Sequence, residues 1–162
     1  GNLPYNISTQ ILVKFLRLTW PPQFSKIIFM FQKEVGEKII AKAGSPNYSR
    51  ISIITNSRFK VSNYFFVSKN SFFPKPKVNS IVIELAPINK KDINLKSIKS
   101  LEFITNIFFS NRRKMVNKAF KKLKLDDEIF LKNQNIKLSS RPENLTIDQY
   151  CKIAEHYEKI NS

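Results

Sequence analysis

Glycine is scarce in this 162-residue sequence: Gly1, Gly36 and Gly44 are the whole supply. They are scattered, so no glycine-rich turn is available to hold a nucleotide with successive backbone amides. Cys151 is the only cysteine, which excludes an internal disulfide and fits a reducing compartment. His156 is the only histidine and has no Cys, Asp or Glu around it at ligand spacing, so no metal is implied. No apolar run reaches membrane-spanning length and no signal-peptide pattern appears, so no membrane is implied and a cytoplasmic protein is the simplest account. Repeats are absent, as is any nucleophile, base and acid constellation. Acidic residues are few as well, 12 against 28 Lys and Arg, leaving a formal net charge of +16. A field of that sign attracts polyanions, nucleic acid first among them. Lysine outnumbers arginine by 22 to 6, beside 21 Ile and 16 Asn, a bias that an AT-rich genome produces unaided, so the charge alone is weak evidence. What is present is ordinary for a folded chain: 42% hydrophobic and 25% charged residues, over a length that buries a real core.

The opening run Gly1-Asn2-Leu3-Pro4-Tyr5-Asn6-Ile7-Ser8-Thr9 puts an amide, a proline and an aromatic ring within four positions. Adenine's exocyclic amine is a poor nucleophile because its lone pair is delocalised into the ring. An enzyme that alkylates it needs acceptors for the amine protons. The Asn2 side-chain oxygen and the Pro4 carbonyl are two such acceptors, and proline adds no competing N–H. Tyr5 offers a flat face, and stacking on an aromatic side chain contributes about 1–3 kcal/mol per base. The same residues also suit an ordinary turn.

Asn2-Leu3-Pro4-Tyr5 resembles the catalytic motif of amino-group methyltransferases that use S-adenosylmethionine, and the longer run resembles the ribosomal RNA adenine dimethyltransferases. Later segments agree in order. Ser71-Phe72-Phe73-Pro74-Lys75-Pro76-Lys77-Val78-Asn79-Ser80 is similar to the family's Phe-x-Pro-x-Pro-x-Val stretch, Asn111-Arg112-Arg113-Lys114 to its Arg-Arg-Lys segment, and Arg141-Pro142-Glu143-Asn144-Leu145-Thr146 to its closing helix entry. The likeness is nearest to the small-subunit enzymes. It implies twofold methylation of adenine N6, with Asn2, Pro4, Tyr5 and Phe72 as catalytic residues. Phe72 would face Tyr5 across the base, and Asn2 would also lie against the donor. Base extrusion follows, since N6 is out of reach in a stacked helix.

The resemblance also implies a fold: the C-terminal part of a Rossmann-like α/β methyltransferase sheet over residues 1–88, then a small all-helical RNA-binding domain over 89–162. The family's donor site uses a glycine-rich turn and an acidic residue that have no counterpart here. The chain is therefore expected to be the C-terminal portion of a longer enzyme, a monomer when intact. Alone it is expected to bind RNA but not S-adenosylmethionine, and to be inactive.

Residue patterning fills in the elements. Ile7, Ile11, Leu12, Phe15 and Leu16 recur at helical spacing, with Asn6 or Ser8 as the expected cap and Pro21-Pro22 as the stop. Trp20 beside the prolines reads as a packing anchor. Residues 26–31 read as a strand buried on both faces, residues 32–43 as a helix, and 59–68 and 80–86 as two strands joined by a stiff proline-containing loop. Residues 50–59 suit a strand by propensity but correspond to a helix in the family, so a helix is expected there. Beyond a boundary near residues 88–94, helices are expected around residues 98–108, 115–123, 126–132 and 146–159.

Both parts are basic, with the densest block from Lys96 to Lys124 holding nine basic residues and Glu102 as its only acid. Arg112, Arg113 and Lys114, with Lys118, are candidate RNA-backbone contacts, helped by a free helix N-terminus; a solvated helix face is the plainer reading. The partner implied is ribosomal RNA or a small-subunit precursor. Two alternatives stand beside this one. The large-subunit methyltransferases of macrolide resistance are disfavoured by Leu3 and the two C-terminal motifs, and a non-catalytic RNA-binding or transcription-accessory protein by the retained Asn2, Pro4, Tyr5 and Phe72.

Overall fold

Leu12 and Leu16 lie one turn apart on the first helix and both are buried, which fixes the inward face of α1 (Tyr5–Leu16). The structure is a computed structural model that describes residues 5–88 and 95–161, with side chains from residue 7 onward. Because α1 already begins at Tyr5, Asn6 and Ser8 fall inside its first turn and neither is the expected cap; Ser8 is buried. At the other end the carbonyls of Leu16 and Leu18 accept from the Arg58 guanidinium at 2.7 and 2.9 Å, replacing helical partners that the chain's turn toward Pro21 removes. Trp20 is a packing anchor. Its indole N–H donates to Ile88 O at 2.8 Å, its ring meets Phe59 edge-on at 5.2 Å, and Arg58 lies 5.0 Å from its centroid.

The order then runs β1 (Ile27–Gln32), α2 (Lys33–Ile40), α3 (Arg50–Arg58), β2 (Phe59–Val67) and β3 (Ser80–Pro87). The helix expected at 50–59 is present, its Ile53 and Ile54 buried despite their strand propensity. The three strands form one sheet in the order β1-β3-β2, with β3 antiparallel to both neighbours. Directly paired residues share a face, so Phe29 with Ile83 and Phe31 with Ile81 define one buried side. There Phe15 of α1 meets Phe29 at 5.8 Å, and Gly36 of α2 sits so close that an added Cβ would overlap Ile81 Cγ2. The expectation that β1 is buried on both faces is not met: Ile28, on the opposite face, is 46% exposed.

The chain divides into two compact units, one of Gly1–Ile40 with Arg58–Asn89 and the other of Ala41–Ser57 with Lys90–Ser162. The sequence reading groups residues 41–57 with the sheet. The structure packs them with the helices, through the buried Tyr48, whose ring lies 6.5 Å from Phe109, and through Gly44 N–H donating to Glu143 O at 2.7 Å.

The helical unit also holds α4 (Ile98–Phe109), α5 (Asn117–Leu123), α6 (Glu128–Asn133) and α7 (Ile147–Ile160). Phe108 is its centre, edge-on to Phe120 at 5.2 Å and to Tyr150 at 5.5 Å. Glu158 of α7 accepts from the backbone N–H groups of Lys96 and Ser97, fastening the start of α4. The cap and end chemistry is local: Ser97 and Asp127 accept from first-turn amides, Thr146 and Gln149 form a reciprocal capping box, and Lys124 closes α5 in the left-handed conformation.

His156 stacks on Phe130 with centroids 4.1 Å apart and planes 6° from parallel. Burial lowers its pKa below the usual imidazole value, with Lys159 acting the same way and Asp127 opposing. A base whose folded pKa is depressed binds its proton more readily unfolded. It therefore contributes stability that is present above about pH 6.5 and lost as pH falls toward the folded value. Urea midpoints measured at pH 7.5 and 5.5 should thus drop on acidification, and His156→Phe should flatten that drop. Equal pH dependence in both proteins would exclude the imidazole as its source.

Candidate functional site

The loop from β2 to β3 is held shut by one side chain. Asn79 Oδ1 accepts from Lys69 N–H at 3.0 Å, while Asn79 O accepts from Lys33 N–H at 2.9 Å, so the loop's two ends and the start of α2 meet at one residue. Inside the loop a short 3-10 turn (Lys69–Ser71) is capped by Ser68, whose hydroxyl accepts from Asn70 N–H at 3.2 Å. Phe72 follows immediately in extended conformation and is part-buried, whereas Phe73 is fully exposed. Asn79 was missed as a site-building residue because its role depends on residues distant in sequence, and only its place in the motif marked it.

Asn2 and Pro4 lie outside the described residues, as does the side chain of Tyr5, which is the first residue of α1. What the structure does give is the footing of that segment: α1, which starts at Tyr5, is pinned to the sheet by Leu12, Phe15 and Leu16 and at its far end by Arg58.

In the helical unit the Arg-Arg-Lys segment lies between α4 and α5, and its three cations differ. Arg112 Nη2 donates to Pro46 O at 2.5 Å, and its Nε is 3.7 Å from Glu143 Oε2, a buried carboxylate oxygen with no hydrogen bond. Arg112 is thus turned inward as a tie. Arg113, Lys114 and Lys118 are exposed. Lys118 and Lys122 border a hollow of about 100 Å³ together with Ser110, Asn111 and the largely exposed Met115. The free helix N-terminus expected here is not free. Val116 N–H donates to Ser140 O at 2.9 Å, Asn117 N–H to Leu138 O at 3.2 Å, and Lys118 N–H to the Asn117 side chain at 2.7 Å. Any anion held at this place would depend on side chains.

Among the described residues, no group of His, Cys, Asp or Glu could hold a metal ion, and no helix is long and apolar enough to cross a membrane.

The family model described as ribosomal RNA adenine dimethylase matches residues 1–159. The chain belongs to that family. Within it, the chain is 39% identical over 161 residues to the ribosomal RNA small subunit methyltransferase A of Pelagibacter ubique, covering 99% of this chain and 61% of that protein. It is likewise 39% identical to the enzyme of the same name from Buchnera aphidicola, covering 96% of this chain and 56% of that one. Among solved structures it is similar to a dimethyladenosine transferase from Plasmodium falciparum, with a TM-score of 0.77, 25% identity and coverage of 99% of this chain and 66% of the other. The fold is also that of the 23S rRNA methyltransferase ErmE, with a TM-score of 0.65 at 18% identity. The chain therefore spans about three fifths of the curated relatives it matches.

A dimethylase of this family implies a methyl donor, and the described residues do not fit one. Gly36 is no cradle, since the space a Cβ would need is filled by Ile81, and Gly44 is a single glycine in the helical unit whose N–H is already taken by Glu143 O. The donor's ribose and amino-acid moiety need amides at a tight turn and a carboxylate for the hydroxyls, and the described residues bring no such pair together.

Proposed function

We propose that the protein containing this chain dimethylates N6 of adenosines in small-subunit ribosomal RNA, using S-adenosylmethionine, as a cytoplasmic step of ribosome assembly. The observation that carries the reading is that the family match spans both the amide-proline-aromatic segment and the Phe72 loop. In this reading Asn2 Oδ1 and Pro4 O accept the two amine protons, turning the nitrogen lone pair outward, and Tyr5 and Phe72 clamp the extruded base between their rings. Asn79 is the positioning residue that keeps the Phe72 loop closed. The amine can lose its proton late, so no strong general base is required. Loss of the gene should remove dimethyladenosine from small-subunit RNA, read by mass spectrometry of nuclease digests, and the intact protein should restore it. Unchanged dimethyladenosine in the deleted strain would overturn the reading.

Arg113, Lys114 and Lys118 serve RNA backbone in the same reading, and Arg112 holds the loops behind them. The double variant Arg113→Gln/Lys114→Gln should lower affinity and reduce the slope of log affinity against log salt by somewhat under about 1 for each phosphate no longer neutralised. Arg112→Ala should instead cost about 1.5–3 kcal/mol of stability, the range for a hydrogen bond that involves a charged group, with the salt slope little changed. A salt titration and a urea melt of each variant separate these roles, and an unchanged slope for the double variant would return the segment to a solvated surface.

A further inference from the structure

Tyr64 and Phe66 stand two residues apart on β2, an outer strand of the sheet, 46% and 52% exposed. Their partners in register are Ile83 and Ile81, so both rings project on the α2 side, whereas Phe65, paired with Val82, projects on the other. The two rings meet edge to face at 6.1 Å, an arrangement in which neither covers the other as a flat stack would. Lys33 Nζ lies 5.6 Å from the Phe66 centroid. The same lysine borders an open cleft of about 420 Å³ shared with Lys69, Lys77, Asn79, Glu34 and Glu37. Both carboxylates already have lysine partners, Glu34 with Lys38 outside the cleft at 2.7 Å and Glu37 with Lys33 at 3.7 Å, so neither is needed to neutralise Lys69 and Lys77. This aromatic pair leads in six residues to Phe72, through a loop fastened by Asn79.

Half-exposed rings on an outer strand are a hazard that soluble proteins normally avoid, so their presence calls for an occupant. Lysine is depleted in the cores of protein interfaces, yet beside exposed aromatic rings it is the pattern of single-stranded nucleic-acid grooves, where bases stack and phosphates find cations. We propose that Tyr64 and Phe66, with Lys33, Lys69 and Lys77, form a second RNA-contact surface that stacks unpaired nucleotides flanking the base presented to Phe72. It rests on the reading of this family member as an RNA-modifying enzyme.

The test uses the full-length protein and a single-stranded oligoribonucleotide carrying 5-iodouridine. Trypsin cuts after Lys60 and Lys69, so a photo-crosslink to either ring appears on the single peptide of residues 61–69. The expected result is that crosslink, together with affinity about tenfold lower for each ring replaced by leucine (Tyr64→Leu, Phe66→Leu), as stacking energies imply. Leucine keeps the apolar contact and removes the π face, the salt slope should not move, and Phe66→Trp should retain affinity. RNA bound by the unaltered protein with no crosslink in this peptide and no affinity change in the leucine variants would overturn the proposal while leaving the enzyme reading intact. Leucine variants that alter only self-association in light scattering would also overturn it, making the strip a protein-docking surface. Failure of the unaltered protein to bind any RNA would instead overturn the enzyme reading, and this proposal with it.

Discussion

Asn2→Ala in the intact protein should reduce radiolabelled methyl incorporation into small-subunit RNA about 100-fold or more, on the scale seen when one preorganised hydrogen-bonding group is removed from a transition state. RNA affinity should hardly change, because every cation that faces phosphate stays in place. The asymmetry is the diagnostic part. In the proposed reading the amide accepts from an amine proton of the base and no phosphate contact depends on it, so its removal would let adenine bind with its lone pair still delocalised. Phe72→Ala should behave differently, weakening capture of the extruded base and so raising the RNA concentration needed for half-maximal rate. Incorporation by Asn2→Ala equal to that of the unaltered enzyme would remove Asn2 from the chemistry, leaving the opening segment an ordinary turn into α1.

Gly36→Ala is expected to have the largest effect of any single methyl addition in the sheet unit. An added Cβ would overlap Ile81 Cγ2 and lie 3.2 Å from Ile81 Cβ, and Ile81 is fully buried with no room to retreat. Overpacking of this kind costs about 1–3 kcal/mol, enough to lower Tm by several degrees. Because α2 also carries Lys33, whose N–H fastens Asn79, a shift of the helix would loosen the Phe72 loop as well. Ile81→Ala removes the opposing methyl, so the double variant Gly36→Ala/Ile81→Ala should be less destabilised than the sum of the two single changes. Strict additivity in thermal melts would show that the two residues are not in conflict and that another contact sets the helix position.

Strong local signals make much of this protein legible from residue order alone. The Thr146-to-Gln149 capping box opens α7 where the sequence places a helix, and the enrichment of 59–67 and 80–87 in Val, Ile, Phe and Tyr marks both strands. Where the local signal misleads, tertiary packing overrules it. Residues 27–31 form an unbroken apolar run, which implies burial on both faces, yet β1 buries only alternate side chains because antiparallel pairing with β3 sets which residues meet α1. Asn6 and Ser8 are good capping residues by type, but the helix starts before either.

The sequence by itself determined the family, the order of helices and strands, and the identity of the base-holding candidates, because those depend on residue type and on spacing within short windows. Only tertiary packing sets how neighbouring members of one motif are placed. Arg112, Arg113 and Lys114 are adjacent cations, but the buried Oε2 of the part-buried Glu143 and the carbonyl of Pro46 hold the first, and the other two are left to solvent. Residues 41–57 joined the helical unit for a similar reason, since the groups that hold Tyr48 and Gly44 come from Phe109 and Glu143. Burial, charge pairing and the closing of a loop are properties of residues brought together from distant positions, and no local pattern specifies them.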